Sequence, residues 1–170
     1  MKRQLSPGAR WLAELAGFPR PTPTRNPWAR DPLASIPIGG QWAVVRVPEA
    51  AADRACTHLR TEGVLTGPVL NAGHVRAFLV HPFLHDGRDL PGGVLLTGAL
   101  GEQLRCPMPG QAANLSCFWS VPPDGSGALL DPRLLADALR TTWTPLTGPH
   151  PSGSHHAQDE GPLTQAGAGA

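Results

Sequence analysis

Three groups of side chains in this 170-residue chain could do chemistry. His74, His81 and His85, with Asp86 and Asp89 close behind, offer imidazole nitrogens and carboxylate oxygens. Those are the donors that zinc or a harder dication takes. Arg20, Arg25 and Arg30 offer guanidinium forks for phosphate, and Trp28 among them offers a ring on which a base can stack. Arg46 stands alone between valines, where it either meets an acidic ligand or faces solvent.

Spacing weakens most of these. On one strand His74 and His81 differ by an odd number and point to opposite faces. His85 lies beyond Pro82, so scattered surface histidines are the plainer account. Asp53, Glu62 and Asp89 have no spacing that implies an acid–base pair. Asp124-Gly125-Ser126-Gly127 is a turn and not a nucleophile elbow. Gly39-Gly40 and Gly92-Gly93 lack the helix and lysine of a phosphate loop. His150, His155 and His156 can bind metal adventitiously and no more. Trp28 either pins its segment to the core or forms a stacking platform beside the arginines. The first reading is preferred, because loop arginines are commonly just solvated.

Composition bounds the class. The length fits one domain plus ends, and 41% hydrophobic residues can build a core. Twenty Gly and twenty Pro concentrate near both ends and cap how much of the chain can fold regularly. The net charge of +1 gives no overall field toward nucleic acid or acidic lipid. Nine Lys/Arg against four Asp/Glu in residues 1–60 nevertheless leave room for a local phosphate contact there. Three cysteines, Cys56, Cys106 and Cys117, without a C-x-x-C motif argue against a disulfide framework or a zinc ribbon. They read as reduced thiols of a cytoplasmic protein. No run of 18 apolar residues suggests a membrane span.

The elements that must position these groups follow from patterning. Ser6-Pro7 caps a short helix with Leu12, Leu15 and Ala16 on one face and Gly17 at its end. Residues 18–35, with five prolines, read as an irregular arm. Residues 41–48 are a strand, and 49–62 a helix with Ala51, Ala55 and Leu59 at i, i+4, i+8 and Cys56 beside them. Strands at 68–70 and 74–81 join through a turn near Gly73. Residues 83–93 form a polar loop. Further strands lie at 94–96, 103–106 and 116–121. Asp131-Pro132 caps a last helix with Leu134, Leu135, Ala138 and Leu139 inward. Trp42 and Trp119 are core candidates. Three segments result: 1–35, a helix and Pro/Arg-rich arm; 36–143, an α/β domain; and 144–170, a tail too poor in apolar bulk to offset its ordering entropy, hence disordered.

The order of segments carries a resemblance. Leu33-Ala34-Ser35-Ile36-Pro37-Ile38-Gly39-Gly40 precedes the 42–48 strand. Gly67-Pro68-Val69, Gly73 and Phe78-Leu79-Val80-His81-Pro82 follow, and Phe118-Trp119-Ser120-Val121-Pro122-Pro123-Asp124-Gly125 comes late. The set, over roughly residues 26–142, resembles short bacterial proteins related to the N-terminal domain of bifunctional DNA primase/polymerases, in the archaeo-eukaryotic primase superfamily. The resemblance implies an α/β (α+β) unit: a curved, mainly antiparallel sheet flanked by helices. Active relatives hold two metal ions through an Asp-x-Asp pair, a later Asp, and a His on another strand. Two dications stabilise the attacking and leaving oxygens of nucleotidyl transfer. Laid on this chain, that pair falls on Val45 and Val47, the His falls on Val75, and the later acid falls around Leu96-Thr97-Gly98. His74 lies one residue from the histidine position and so on the opposite face.

The leading expectation is therefore a degenerate primase/polymerase-like domain, cytoplasmic and non-catalytic, that acts as a binding or regulatory module with no cofactor. One alternative is a divergent enzyme using magnesium or manganese through His85, Asp86 and Asp89. Another is a binder of single-stranded nucleic acid, nucleotide or phosphate through Arg20, Arg25, Trp28 and Arg30. Arg46 and His74 are further ligand candidates.

Overall fold

The computed structural model describes residues 5–17, 26–82, 90–91, 94–97, 102–111 and 116–143. In chain order the elements are α1 (Pro7–Leu15), a 3-10 turn (Pro27–Ala29), β1 (Leu33–Pro37), β2 (Ala43–Pro48), α2 (Glu49–Thr61), β3 (Val69–Ala72), β4 (Val75–Val80), β5 (Leu95–Thr97), β6 (Gln103–Pro107), β7 (Cys117–Val121) and α3 (Pro132–Thr142). The fold is α+β. A five-stranded sheet has the order β5-β2-β4-β3-β7, and β1 with β6 makes a separate two-stranded sheet. Every strand pairing is antiparallel.

Both faces of the main sheet are covered. On one, α2 and α3 pack together and bury Val45, Val47, Val69, Phe78 and Val80 with Ala52, Ala55, Leu135 and Leu139. On the other, Val44, Leu70, Ala77, Leu79 and Trp119 meet Ala9 and Leu12 of α1, Trp28, and Ala34, Ile36, Leu104 and Cys106 of the β1–β6 pair. This explains the apolar run of β2, which Arg46 alone interrupts. A strand buried on both faces has no polar side to alternate with. Each Val or Phe so buried stabilises the fold by roughly 1.5–3 kcal/mol relative to exposure.

Local chemistry sets the element ends. The Ser6 hydroxyl accepts the Ala9 N–H at the start of α1, and Asp131 accepts the Arg133 N–H at the start of α3. Each cap satisfies a donor that the first helical turn leaves open. Gly73, at φ 66°, makes the tight turn between β3 and β4 that a side chain would strain. Gly8 is needed for another reason. A Cβ there would collide with the Pro123 carbonyl, so α1 sits directly on the 122–127 turn.

Three expectations change. The arm at 18–35 is not irregular throughout: Pro27–Ala29 is a helical turn and Leu33–Pro37 a strand. Pro27 opens the turn and Pro32 precedes the strand, while β1's own proline, Pro37, is its last residue; among the described residues β1 pairs with β6 alone. Ala34 and Ile36 alternate inward from that strand. The boundary expected at 35/36 consequently falls inside β1, and α1 belongs to the same core as the sheet. In α3, Leu134 is 41% exposed while Leu135, Ala138 and Leu139 are buried, so the inner stripe is narrower than expected. The tail at 144–170 lies outside the described residues, as does most of the 83–93 loop.

Candidate functional site

The positions that would anchor a dication sit at the centre of the main sheet. Val45 pairs with Phe78 and Val47 with Arg76, while Val75 pairs with Pro48. Cross-strand partners share a face and neighbours along a strand alternate. Val45 and Val47 therefore lie on the α2–α3 side, where both are fully buried. Val75 lies on the opposite side with Ala77 and Leu79. The three positions do not face one another, and none carries an oxygen or nitrogen donor. A hard cation takes several oxygen ligands, so these residues do not fit a metal pair. Leu96 pairs with Val45 and Thr97 with Val44. Gly98 lies outside the described residues, and among those residues no three His, Cys, Asp or Glu side chains gather as a metal group.

Where β2 hands over to α2, the chain instead builds an ion-pair cluster. Arg76 projects from β4 toward α2 and is pinned by Asp53 at 2.9 Å and Glu49 at 3.2 Å. The Glu49 N–H donates to the His74 carbonyl, tying the first turn of α2 to the β3–β4 turn. Inside this cluster the Arg76 Nε and the Asn71 Oδ1 are buried with no hydrogen-bond partner among the described residues, and Asn71 is the cross-strand neighbour of Arg76. Cys56 lies next to it. Burial pushes its thiol up, and the Arg76 guanidinium offsets part of that. Sequence reasoning passed over this cluster. Its signal was the i, i+4 pair Glu49 and Asp53 facing an arginine in a strand, and only the β2–β4 register connects the two.

Among the described residues the remaining candidates do not converge. Trp28 is buried, and its Nε1 donates to the Cys106 carbonyl at 2.9 Å. The indole fastens the segment to β6, the pinning role that the sequence reading preferred. Arg30 is exposed beside it. Arg46 is half-buried on the same face as Val44 and Ala77, so it leaves the valine face only to meet a second core. His74 is exposed in its turn, and His81 is exposed just past β4. Trp42 and Trp119 are buried. Arg20, Arg25, His85, Asp86 and Asp89 lie outside the described residues.

A shallow groove of about 600 Å³ runs between α2 and the end of α3, lined by Asp53, Arg54, Thr57, His58, Thr61 and Thr142. Its polar groups are largely committed. Arg54 Nε donates to the Thr142 carbonyl, and the three threonine hydroxyls donate to carbonyls of their own helices. No family model, curated protein or solved structure matches the chain. No helix among the described residues is long and apolar enough to cross a membrane.

Proposed function

We propose that this chain is a non-catalytic binding or regulatory module built on a primase/polymerase-like sheet. One observation carries the reading. Val45 and Val47 are sealed beneath α2 and α3, while Val75 lies across the sheet from them. Restoring carboxylates at the two valines would bury charge under helices without opening a cleft for a nucleotide. The ordered resemblance supports the scaffold, and the ion pairs of Arg76 support a structural use for the polar residues that replace a catalytic centre.

The test is a primer-synthesis and extension assay on the full chain, with a single-stranded template, nucleotides, and magnesium or manganese. The reading expects no template-dependent product with either metal. Robust product that follows the template sequence would overturn it and return the divergent-enzyme alternative.

A further inference from the structure

Two thiols enter the layer between the sheets from opposite sides. Cys106, on β6, is fully buried in the cluster that joins the β1–β6 pair to the main sheet. Cys117, at the start of β7, is half-buried and packs against that cluster, on the same face as Trp119. The strands touch here. The Trp119 indole donates to the Pro107 carbonyl at 2.8 Å. Pro107 follows Cys106, and Trp119 stands one pleat repeat from Cys117. Neither sulfur is in a disulfide, and Cys56 lies across the sheet in the α2–α3 cluster.

We propose that Cys106 and Cys117 are a peroxide-oxidisable pair that closes to a disulfide stapling β6 to β7. Cys117, the more accessible thiol, attacks as its thiolate. Its sulfur takes one oxygen from hydrogen peroxide and becomes a sulfenic acid, and hydroxide leaves. The Cys106 sulfur then displaces that hydroxyl group, the S–S bond forms, and the hydroxyl departs as water with the Cys106 proton. Two thiols are oxidised by two electrons and one peroxide is reduced to two waters. Burial pushes both thiols up, and Arg105 offsets part of the shift at Cys117. Because the thiolate is the nucleophile, the reaction is slow near neutrality and speeds up as pH rises. The bond would lock the small sheet, which also receives the Trp28 hydrogen bond, to the edge of the large one.

The full chain, reduced and then treated with hydrogen peroxide, is unfolded, alkylated and mapped by mass spectrometry. The expected result is a Cys106–Cys117 linked peptide with alkylated Cys56, so that accessible thiols fall from three to one. Cys56→Ser keeps the link and Cys117→Ser abolishes it. Should Cys117→Ser fail to fold, the wild-type peptide map decides alone. A disulfide requires Cα atoms within about 7 Å. Alkylated Cys106 beside a singly oxidised Cys117, or a link through Cys56, would overturn the proposal.

Discussion

At the scale of single residues, Val47 states the account most sharply. Its side chain is fully buried among the residues of α2 and α3. Val47→Asp should cost about 3–5 kcal/mol, the penalty of an uncompensated buried charge, read as a drop in the urea midpoint. It should confer no magnesium affinity. A near-neutral effect would mean that the face is open. Cys106 makes a second prediction. Its folded-state thiol is held well above the ordinary 9.0 by burial, with Cys117 adding to the rise. The unfolded chain therefore loses this proton first as pH climbs. Stability from this group is intact below about pH 9 and declines above it. Cys106→Ala should flatten the alkaline decline of Tm, whatever it does to Tm at pH 7; an unchanged slope would contradict the shift. The sequence showed that β2 lacks acids. It did not show that Val47 and Val75 lie on opposite faces, because relative facing depends on a register between strands that one sequence does not state.

At the scale of elements, α1 and α2 are held by different means. Gly8 is a poor helix former, and alanine would ordinarily improve a helix by about 1 kcal/mol. Here its Cβ would strike the Pro123 carbonyl and approach the Asp124 nitrogen at 3.3 Å. Gly8→Ala should therefore lower Tm, whereas a rise would show that α1 does not rest on that turn. The tie on α2 is electrostatic. Glu49 and Asp53 are 45% and 58% exposed, so solvent screens much of their attraction to Arg76. Arg76→Gln should cost about 1 kcal/mol in a denaturant titration, with the difference shrinking in high salt. A loss of several kcal/mol that salt leaves unchanged would point to a packing role. Helix caps at Ser6 and Asp131 were legible because they are local. β1 was not: it follows directly on a proline-rich stretch, and its partner, β6, begins some sixty-six residues further along the chain from Pro37.

At the scale of the whole molecule, the sheet is packed on both sides, and that packing joins the N-terminal helix to a core that the sequence assigns to a separate segment. Trp28, Trp42 and Trp119 share one buried cluster. The mixed fold class was legible because strand-like runs and two helical segments are both visible from residue 43 onward. The layer arrangement was not, because it depends on which face each short strand turns toward its neighbours. The central claim is that the positions the resemblance aligns with metal ligands enclose no cation. It is tested most directly by titrating manganese into isotopically labelled full-length chain and reading paramagnetic broadening of each backbone amide. The account predicts that any broadening around Val45, Val47 and Val75 comes from the exposed histidines His74 and His81, and disappears in a His74→Ala/His81→Ala variant. Selective, saturable broadening centred on those three valines that survives in the variant would contradict it.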